Sequence, residues 1–299
     1  MSLKVPLPQR SCSVTRIKEI VSPVDSKLGL AHIHFGLVSV ESGRKRAFDF
    51  GPMETVVVVL GGVADIGWEA PEAHERRERV GGRRDVFDGP AWAMYVAPFT
   101  TFSITGVSPV VEVALVRADP IELSGAGSGA KSGAEPVAGA GCDAPVCGVH
   151  IVSPDMVTIR EAGAGAWQRQ VHEITANGCG PQTSKLMVGE VFNPAGNWSS
   201  YPPHKHDENA GMEEAKLEEV CHFRMKPESG FAFARVYSPS RGFDEAYVVQ
   251  NEDTLAIPFG YHSMAAAPGY ALYYLWALAG DRRQRLATYD RQHAWLKND

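Results

Sequence analysis

The residues best suited to chemistry lie at positions 201–207, where the sequence reads Tyr-Pro-Pro-His-Lys-His-Asp. Its two histidines, His204 and His206, are separated by one residue. Alternate side chains of an extended segment point to the same side, so the two imidazoles would share one face. Imidazole nitrogen is a common ligand of zinc and other transition metals. The pair therefore predicts half of a metal site, and a surface His-Lys-His loop is the alternative.

Two more ligands can be placed downstream of this pair. One is Glu219, the second of two adjacent glutamates, and the other is His262, which follows a Pro-x-Gly turn. This order of ligands resembles the pattern of cupin barrels. Cupins place the ligand Glu just before the next strand, which favours Glu219, although the alternation of its apolar neighbours leaves Glu218 open. We expect His204, His206, Glu219 and His262 to bind one divalent metal ion per chain, either zinc or manganese, iron or nickel.

Three histidines and one glutamate would leave one or two positions of the metal open. Substrate oxygens could bind there, so the site could be catalytic. A closed tetrahedral site with a structural role is the alternative. The mouth of a barrel is concave and accessible, which favours the catalytic interpretation.

The other histidines do not form such a set. His32 and His34 are also separated by one residue, but no Glu and Pro-x-Gly-x-His follow them at a suitable spacing. We interpret them as ordinary strand histidines. His222 comes three residues after Glu219 and would face the opposite side of a strand. The remaining histidines have no neighbouring ligand pattern: His74, His150, His172 and His293.

Composition narrows the class of protein. The chain has 299 residues, 44% of them hydrophobic, and a net charge of -6. Nucleic acid and anionic membranes would favour basic patches, so neither is an expected partner. The apolar runs are too short to span a bilayer, and the first residues lack the apolar core of a signal peptide. Five scattered cysteines without a CxxC pair argue against a disulfide framework. We therefore expect a cytoplasmic globular protein.

The chain divides at a segment rich in Gly, Ala and Ser. Residues 121–147 have no periodicity and are typical of a linker. On both sides, short runs of Val, Ile, Phe and Tyr alternate with turn residues, which indicates strands in a sandwich or barrel. We predict an all-β bicupin of two antiparallel jelly-roll barrels, residues 1–120 and 148–299, with a short C-terminal helix.

The two halves resemble each other. Aligned by eye, Glu54 corresponds to Glu219, and an Ala-Pro-Phe-Thr segment corresponds to the Pro-x-Gly turn. The three histidine positions then correspond to Phe48, Phe50 and Phe102. We therefore predict that the first barrel has kept its structure and lost its metal site.

Strand alternation suggests polar residues near the metal. Arg235 shares a face with Phe231, Phe233 and Tyr237, and if that face lines the barrel it could bind a carboxylate through two hydrogen bonds. A structural ion pair with Asp244 or Glu245 is equally open. Lys205 points away from the histidines beside it, as a solvated lysine would. The hydroxyl donors considered are Tyr247 and Tyr261, and the alternative for both is a core position.

Five segments closely resemble the 5-deoxy-glucuronate isomerase family of bacterial inositol catabolism. They are Trp-Ser-Ser-Tyr-Pro-Pro-His-Lys-His-Asp at 198–207, Leu-Glu-Glu-Val at 217–220, Arg-Val-Tyr at 235–237, Asp-Glu-Ala-Tyr-Val-Val at 244–249 and Pro-Phe-Gly-Tyr-His at 258–262. The resemblance covers nearly the whole chain except the linker. It implies a two-barrel cupin, related to the ketol isomerase of 4-deoxy-5-keto uronates, with His204, His206, Glu219 and His262 as metal ligands. Cys221 departs from the family, which has an aromatic residue there.

The resemblance also implies a reaction, the conversion of 5-deoxy-D-glucuronate to 5-dehydro-2-deoxy-D-gluconate. The metal would act as a Lewis acid, and a base such as Glu245 or a metal-bound hydroxide would move a proton between C2 and C1, with Tyr261 assisting. A hydride shift is the other route. We expect Arg235, Lys205 and Tyr247 to bind a small sugar acid, and the protein to form a homo-oligomer. A cupin dioxygenase and a non-catalytic sugar-binding bicupin are the rival functions.

Overall fold

The computed structural model describes residues 2–5, 17–25, 27–69, 75–119, 148–176 and 183–298. The predicted linker, 121–147, lies outside them. The described residues of the first half form ten strands: β1 (Lys4–Val5), β2 (Lys18–Val21), β3 (His34–Glu41), β4 (Lys45–Phe48), β5 (Glu54–Gly61), β6 (Val63–Glu69), β7 (Glu75–Gly81), β8 (Ala93–Val96), β9 (Phe102–Gly106) and β10 (Val110–Ala118).

Twelve more strands lie in the part of the chain after position 147 that the structure describes. They are β11 (Val149–Val152), β12 (Thr158–Ala162), β13 (Arg169–Glu173), β14 (Met187–Asn193), β15 (Trp198–Lys205), β16 (Leu217–Lys226), β17 (Phe231–Ser238), β18 (Phe243–Gln250), β19 (Thr254–Ile257), β20 (Tyr261–Ala266), β21 (Ala271–Gly280) and β22 (Thr288–Tyr289). The helices of the described residues are 3-10 turns at Pro154–Met156, Gly165–Trp167, Pro239–Arg241 and Ala294–Asn298. The last of these stands where the C-terminal helix was expected. None of these helices is long and apolar enough to cross a membrane.

The strands form four antiparallel sheets, two for each half. The first half has a six-stranded sheet, β11-β8-β5-β10-β3-β2, and a four-stranded sheet, β4-β9-β6-β7. The second half has a seven-stranded sheet, β1-β19-β16-β21-β14-β13-β12, and a five-stranded sheet, β18-β17-β20-β15-β22. The prediction of an all-β protein with two antiparallel barrels is confirmed. The boundaries at 120 and 148 stay predictions.

Each half contributes one strand to the other. β1, at the start of the chain, pairs with β19 of the second half, with Lys4 opposite Leu255. β11, which follows the linker, pairs with β8 of the first half, with Val149 opposite Val96. The two barrels are therefore joined by the backbone hydrogen bonds of these strand pairs.

The two large sheets also share a hydrophobic core. β5 illustrates why, because all its residues from Glu54 to Leu60 are buried. Its alternate residues Val57 and Val59 pack inside the first barrel. Val56, Val58 and Leu60 point the other way and pack against the second half. Strands buried on both faces are expected to be continuously apolar, as this run is. Residues of the second half in the shared core include Val188, Val220, Leu275 and Ala277.

Two buried glutamates hold the halves together in a reciprocal way. At the start of β5, the Glu54 carboxylate accepts the backbone N–H groups of residues 184–186 at 2.6, 2.6 and 2.7 Å. At the start of β16, the Glu218 carboxylate accepts those of residues 31–33 at 2.6, 2.8 and 2.6 Å. Glu54 therefore corresponds to Glu218, and the alignment of Glu54 with Glu219 is wrong by one residue. The structural counterpart of Glu219 is Thr55.

Candidate metal centre

Three histidines of the second barrel meet at one point. His204 lies near the end of β15, and His262, at the start of β20, is its cross-strand partner. His206 follows the end of β15, so it returns to the side of His204. One ring nitrogen from each of the three lies within 4.8 Å of the others. The structure therefore brings together all three histidines that the sequence singled out.

The Pro-x-Gly turn before His262 has a clear structural reason. Gly260 has a φ of 91°, in the left-handed region, and a Cβ there would lie 2.7 Å from the carbonyl oxygen of Tyr237. Its N–H donates to Asp207 Oδ2 at 2.9 Å, which ties this turn to the segment of His206.

Glu219 reaches the histidines from the opposite sheet. Its Oε2 lies 3.1 Å from Nε2 of His206 and 3.1 Å from Nε2 of His262. Ligands that each lie about 2.0–2.2 Å from one ion are separated by roughly 3 Å, so these spacings suit a shared metal. The carboxylate of Glu218 faces the first barrel instead. Of the two glutamates that the sequence left open, Glu219 is the one at the cluster.

Backbone carbonyls fix the tautomers of two histidines. Nδ1 of His206 donates to the carbonyl oxygen of Leu217 at 2.9 Å, and Nδ1 of His262 donates to that of Gly260 at 3.2 Å. Each neutral ring therefore presents the lone pair of Nε2 to Glu219, as metal-binding histidines do. Nε2 of His262 is buried and has no hydrogen-bond partner among the described residues. Donor types, spacing and tautomers all fit a divalent metal ion.

The charges of the metal-free cluster are those of a cation site. Burial, together with His262 and His206, lowers the pKa of His204 well below its usual value. Burial opposes the proton on His206 as well, but the Glu219 carboxylate outweighs it and raises this pKa. Burial alone would raise the pKa of Glu219, yet the imidazoles of His206 and His262, each 3.1 Å from its Oε2, hold this pKa well below its usual range. A metal cation can therefore replace a proton shared by His206 and Glu219.

Cys221 is a neighbour of this cluster that sequence reasoning did not assign to it. Its Sγ donates to Oε1 of Glu219 at 3.2 Å, and the thiol is buried. Burial and the nearby carboxylate raise the pKa of Cys221 well above its usual value, so it stays a thiol. The sequence spacing could have predicted this contact, because Cys221 lies two residues after Glu219 and thus on the same face of β16.

The first barrel has aromatic rings at the matching place. Phe48 and Phe102 are cross-strand partners, as His204 and His262 are. Their rings stack with centroids 5.0 Å apart, and the Phe50 ring lies 5.9 Å from Phe48. This barrel is filled by apolar rings where the second barrel carries its ligands.

Arg235 and Lys205 do not reach the cluster. Arg235 lies on the outer face of β17, because the small residues Ala234 and Val236 fill the inner face. Its Nε and Nη2 donate to Asp244 at 2.8 and 2.7 Å, which is the ion pair that the sequence left open. Lys205 Nζ lies within 2.8–3.3 Å of three carboxylates, those of Asp207, Glu208 and Glu214. Both cations therefore already have partners away from the histidines.

Three other predicted residues also lie apart from the cluster. Tyr261 faces the outer side of β20, where its ring packs against Tyr237 at 5.4 Å. The Tyr247 side chain is buried in the core of the second barrel. Glu245 is exposed on β18, two strands away from His262 in the same cross-strand row, which corresponds to roughly 10 Å. Their roles stay predictions without a contact to support them.

A cavity opens beside the ligands and shows residues that the sequence did not reveal. His204, His206 and Glu219 line it together with Ser200 and Tyr274. Three arginines also line it: Arg160, Arg169 and Arg285. They come from β12, β13 and the segment before β22, and no local motif links them to the histidines.

The two paired β-sheet barrels define a bicupin, and the residues that the structure describes hold one candidate metal centre, in the second barrel. The family model of the KduI/IolB family matches residues 8–124 and 127–296, and the chain belongs to this family. It is 31% identical over 281 residues to the 5-deoxy-glucuronate isomerase of Geobacillus thermodenitrificans, covering 93% of this chain and 90% of the relative. It is 30% identical to that of Bacillus subtilis strain 168, covering 99% of both.

Solved structures agree with the fold. An IolB-like protein from Salmonella typhimurium LT2 superposes with a TM-score of 0.82 at 28% identity, covering 100% of both chains. Oxalate decarboxylase from Lactobacillus farciminis has a TM-score of 0.67 at 12% identity, covering 100% of this chain and 91% of the other. The second likeness concerns the two-barrel fold alone.

Proposed function

We propose that the protein is a metal-dependent aldose–ketose isomerase that converts 5-deoxy-D-glucuronate to 5-dehydro-2-deoxy-D-gluconate in myo-inositol catabolism. The observation that carries this proposal is the meeting of three histidines and Glu219 beside a cavity, in a chain whose curated relatives are named 5-deoxy-glucuronate isomerase. The ligands would be His204, His206, Glu219 and His262. Zinc, manganese, iron and nickel all accept this donor set.

A divalent metal bound here would supply Lewis-acid catalysis, which stabilises the negative charge that develops on the substrate oxygens. The protein's part is to hold its ligands in one arrangement. Leu217 and Gly260 fix the tautomers of two histidines through their carbonyl groups. Cys221 occupies Oε1 of Glu219, so that Oε2 faces the histidines. Ligands held in this way need no rearrangement during the reaction.

The hydrogen at C2 of the substrate must move to C1. The residues that line the cavity favour one of the two possible routes, proton transfer through a base or a hydride shift. Glu219 is the single carboxylate among the described residues that line the cavity. Glu245 and Tyr261, the predicted proton-transfer residues, lie outside this lining. We infer that the hydrogen moves from C2 to C1 within the substrate as a hydride, while the C2 hydroxyl gives up its proton and the C1 oxygen gains one. Substrate deuterated at C2 should then give product that keeps deuterium at C1, whereas exchange with solvent would indicate a base such as Glu245.

A direct test combines metal analysis with an anaerobic assay. The protein is purified without a nickel column, its metal is measured, and 5-deoxy-D-glucuronate is supplied in the absence of oxygen. We expect isomerisation that a chelator abolishes and added metal restores. His262→Ala should lose both metal and activity, while His32→Ala, at a histidine outside the cluster, should keep both. Metal-loaded protein that does not isomerise this sugar would refute the proposal, and an absolute need for oxygen would favour a cupin dioxygenase.

The proposal includes a cytoplasmic location and a homo-oligomeric assembly. The location follows from the expected role in sugar catabolism, and the assembly is the one expected from the sequence. Size-exclusion chromatography with light scattering would measure the assembly, and a monomeric mass would contradict that part.

A further inference from the structure

The arginines around the cavity differ in their partners. Glu173 lies behind two of them: its Oε1 accepts from Nε of Arg160 at 3.0 Å and from Nη1 of Arg285 at 2.9 Å. The guanidinium of Arg285 also lies 5.0 Å from the ring centroid of Trp276. One buried carboxylate therefore positions both of these cations and offsets one of their two positive charges.

Arg169 is left without such a partner. Its Nη1 donates to the carbonyl oxygen of Trp167 at 3.2 Å, and no carboxylate of the described residues pairs with it. Burial, with the like charges of Arg160 and Arg285, lowers the pKa of Arg169. Arginine nevertheless stays charged in proteins. A half-buried guanidinium without a counter-ion is costly, and an anionic ligand would remove that cost.

Arg169, whose charge has no counter-ion among the described residues, lies close to the histidine cluster. It begins β13 and lines the same cavity as His204, His206 and Glu219. A molecule in the cavity can therefore contact Arg169 at one end and the cluster at the other.

We propose that Arg169 binds the carboxylate of the substrate and thereby fixes which end of the sugar acid faces the metal. The planar guanidinium matches a carboxylate through two parallel hydrogen bonds, which a lysine cannot make. In a uronate the carboxylate and the reacting C1–C2 pair lie at opposite ends of the carbon chain, so this contact places the aldehyde end at the cluster. The identity of the sugar acid rests on the proposed function. This assignment replaces Arg235 and Lys205, whose charges are already paired.

Arg169→Gln and Arg169→Lys test the assignment, with Arg235→Gln as the matched control on the outer face. Each variant is first checked for metal content and thermal unfolding. Catalytic efficiency is then measured on 5-deoxy-D-glucuronate and on 5-deoxy-D-glucose, its neutral counterpart. Loss of a charged two-bond contact should lower efficiency on the acid roughly thirty- to several-thousand-fold in Arg169→Gln, with little change on the neutral sugar. Arg235→Gln should keep the parent's preference for the acid over the neutral sugar. The efficiency of Arg169→Lys on the acid should lie between those of the parent and Arg169→Gln. If Arg169 had only a structural role, Arg169→Gln would lower catalytic efficiency equally on both substrates, and that result would overturn the proposal.

A binding measurement separates this proposal from the proposed function. D-glucuronate is titrated calorimetrically into metal-loaded parent, Arg169→Gln and Arg235→Gln. We expect binding to the parent and to Arg235→Gln, and its loss in Arg169→Gln. Equal binding to all three, or no binding to the parent, would overturn the role of Arg169. A parent that binds D-glucuronate through Arg169 but isomerises no uronate would refute the isomerase instead.

Discussion

Glu218 and Glu219 are adjacent in sequence, yet the structure predicts opposite consequences for replacing them by Gln. Glu218 Oε2 accepts the N–H of Ala31, and Oε1 accepts those of His32 and Ile33. In Glu218→Gln the amide oxygen can keep the two bonds at the Oε1 position, but without a charge. The new NH₂ group would then face the N–H of Ala31, where two donors meet.

The cost of Glu218→Gln can be worked out from these three bonds. A hydrogen bond to a charged group contributes about 1.5–3 kcal/mol and a neutral one about 0.5–1.5, so two weakened bonds lose roughly 2 kcal/mol. A polar group left unsatisfied adds about 1–3 kcal/mol. The total is about 3–5 kcal/mol, which should lower Tm by roughly 5–8 °C, because unfolding a chain of 299 residues has an entropy of about 0.6 kcal/mol/K. Metal content should stay that of the parent, because the carboxylate faces away from the histidines.

Glu219→Gln should behave in the reverse way. It removes the anionic ligand, so metal content should fall sharply, while the Tm of the metal-free protein should change less than in Glu218→Gln. Thermal unfolding of chelator-treated protein and elemental analysis of reconstituted protein measure the two effects independently. If Glu218→Gln lost the metal and kept its Tm while Glu219→Gln remained loaded, the assignment of the two side chains to the two faces of β16 would be refuted.

Three further predictions concern the same cluster. The protein should bind one metal ion per chain, His262→Ala should abolish binding and His32→Ala should not; a stoichiometry near two after dialysis would contradict this. Cys221→Val removes the donor to Oε1 of Glu219 and should weaken metal affinity about tenfold in a chelator competition, with recovery in Cys221→Ser; unchanged affinity in the Val variant would show that the thiol does not position the carboxylate. The raised pKa of His206 means that a proton must leave before the metal binds. Metal affinity should therefore fall about tenfold per pH unit below that pKa and level off above it. A constant affinity between pH 8 and pH 5.5 would exclude this competition.

The histidine cluster could be predicted because each of its residues lies in a local pattern. Alternation brings His204 and His206 to one side, and the turn at Gly260 fixes the start of the strand that carries His262. The choice between Glu218 and Glu219 could not be made from the sequence. Both faces of β16 are buried, one inside the second barrel and the other in the core that the two large sheets share. The alternation of apolar and polar residues that normally distinguishes two faces is therefore missing.

The sequence also misidentified which face of β17 lines the barrel. The aromatic residues Phe231 and Phe233 suggested an inner face, yet both are exposed. The inner face carries Ala232 and Ala234 because large side chains of the opposite sheet, Trp276 among them, already fill the barrel. Packing between sheets depends on the sum of both faces, and one strand does not reveal its partner. Arg169 was missed because only tertiary structure brings β13 beside the histidines.

The reciprocal glutamates and exchanged strands make the barrel without ligands indispensable to the one that has them. Glu218 anchors β16 to the first barrel, and the next residue along that strand is the candidate ligand Glu219. A protease cut within residues 121–147 should therefore leave two fragments that remain associated, and a gene for the second half alone should not yield a sound metal site. Residues at the first barrel's ligand positions can therefore change without loss of the metal site, whereas those that bind the second barrel cannot. Phe48 and Glu54, six residues apart, are examples of these two kinds of position.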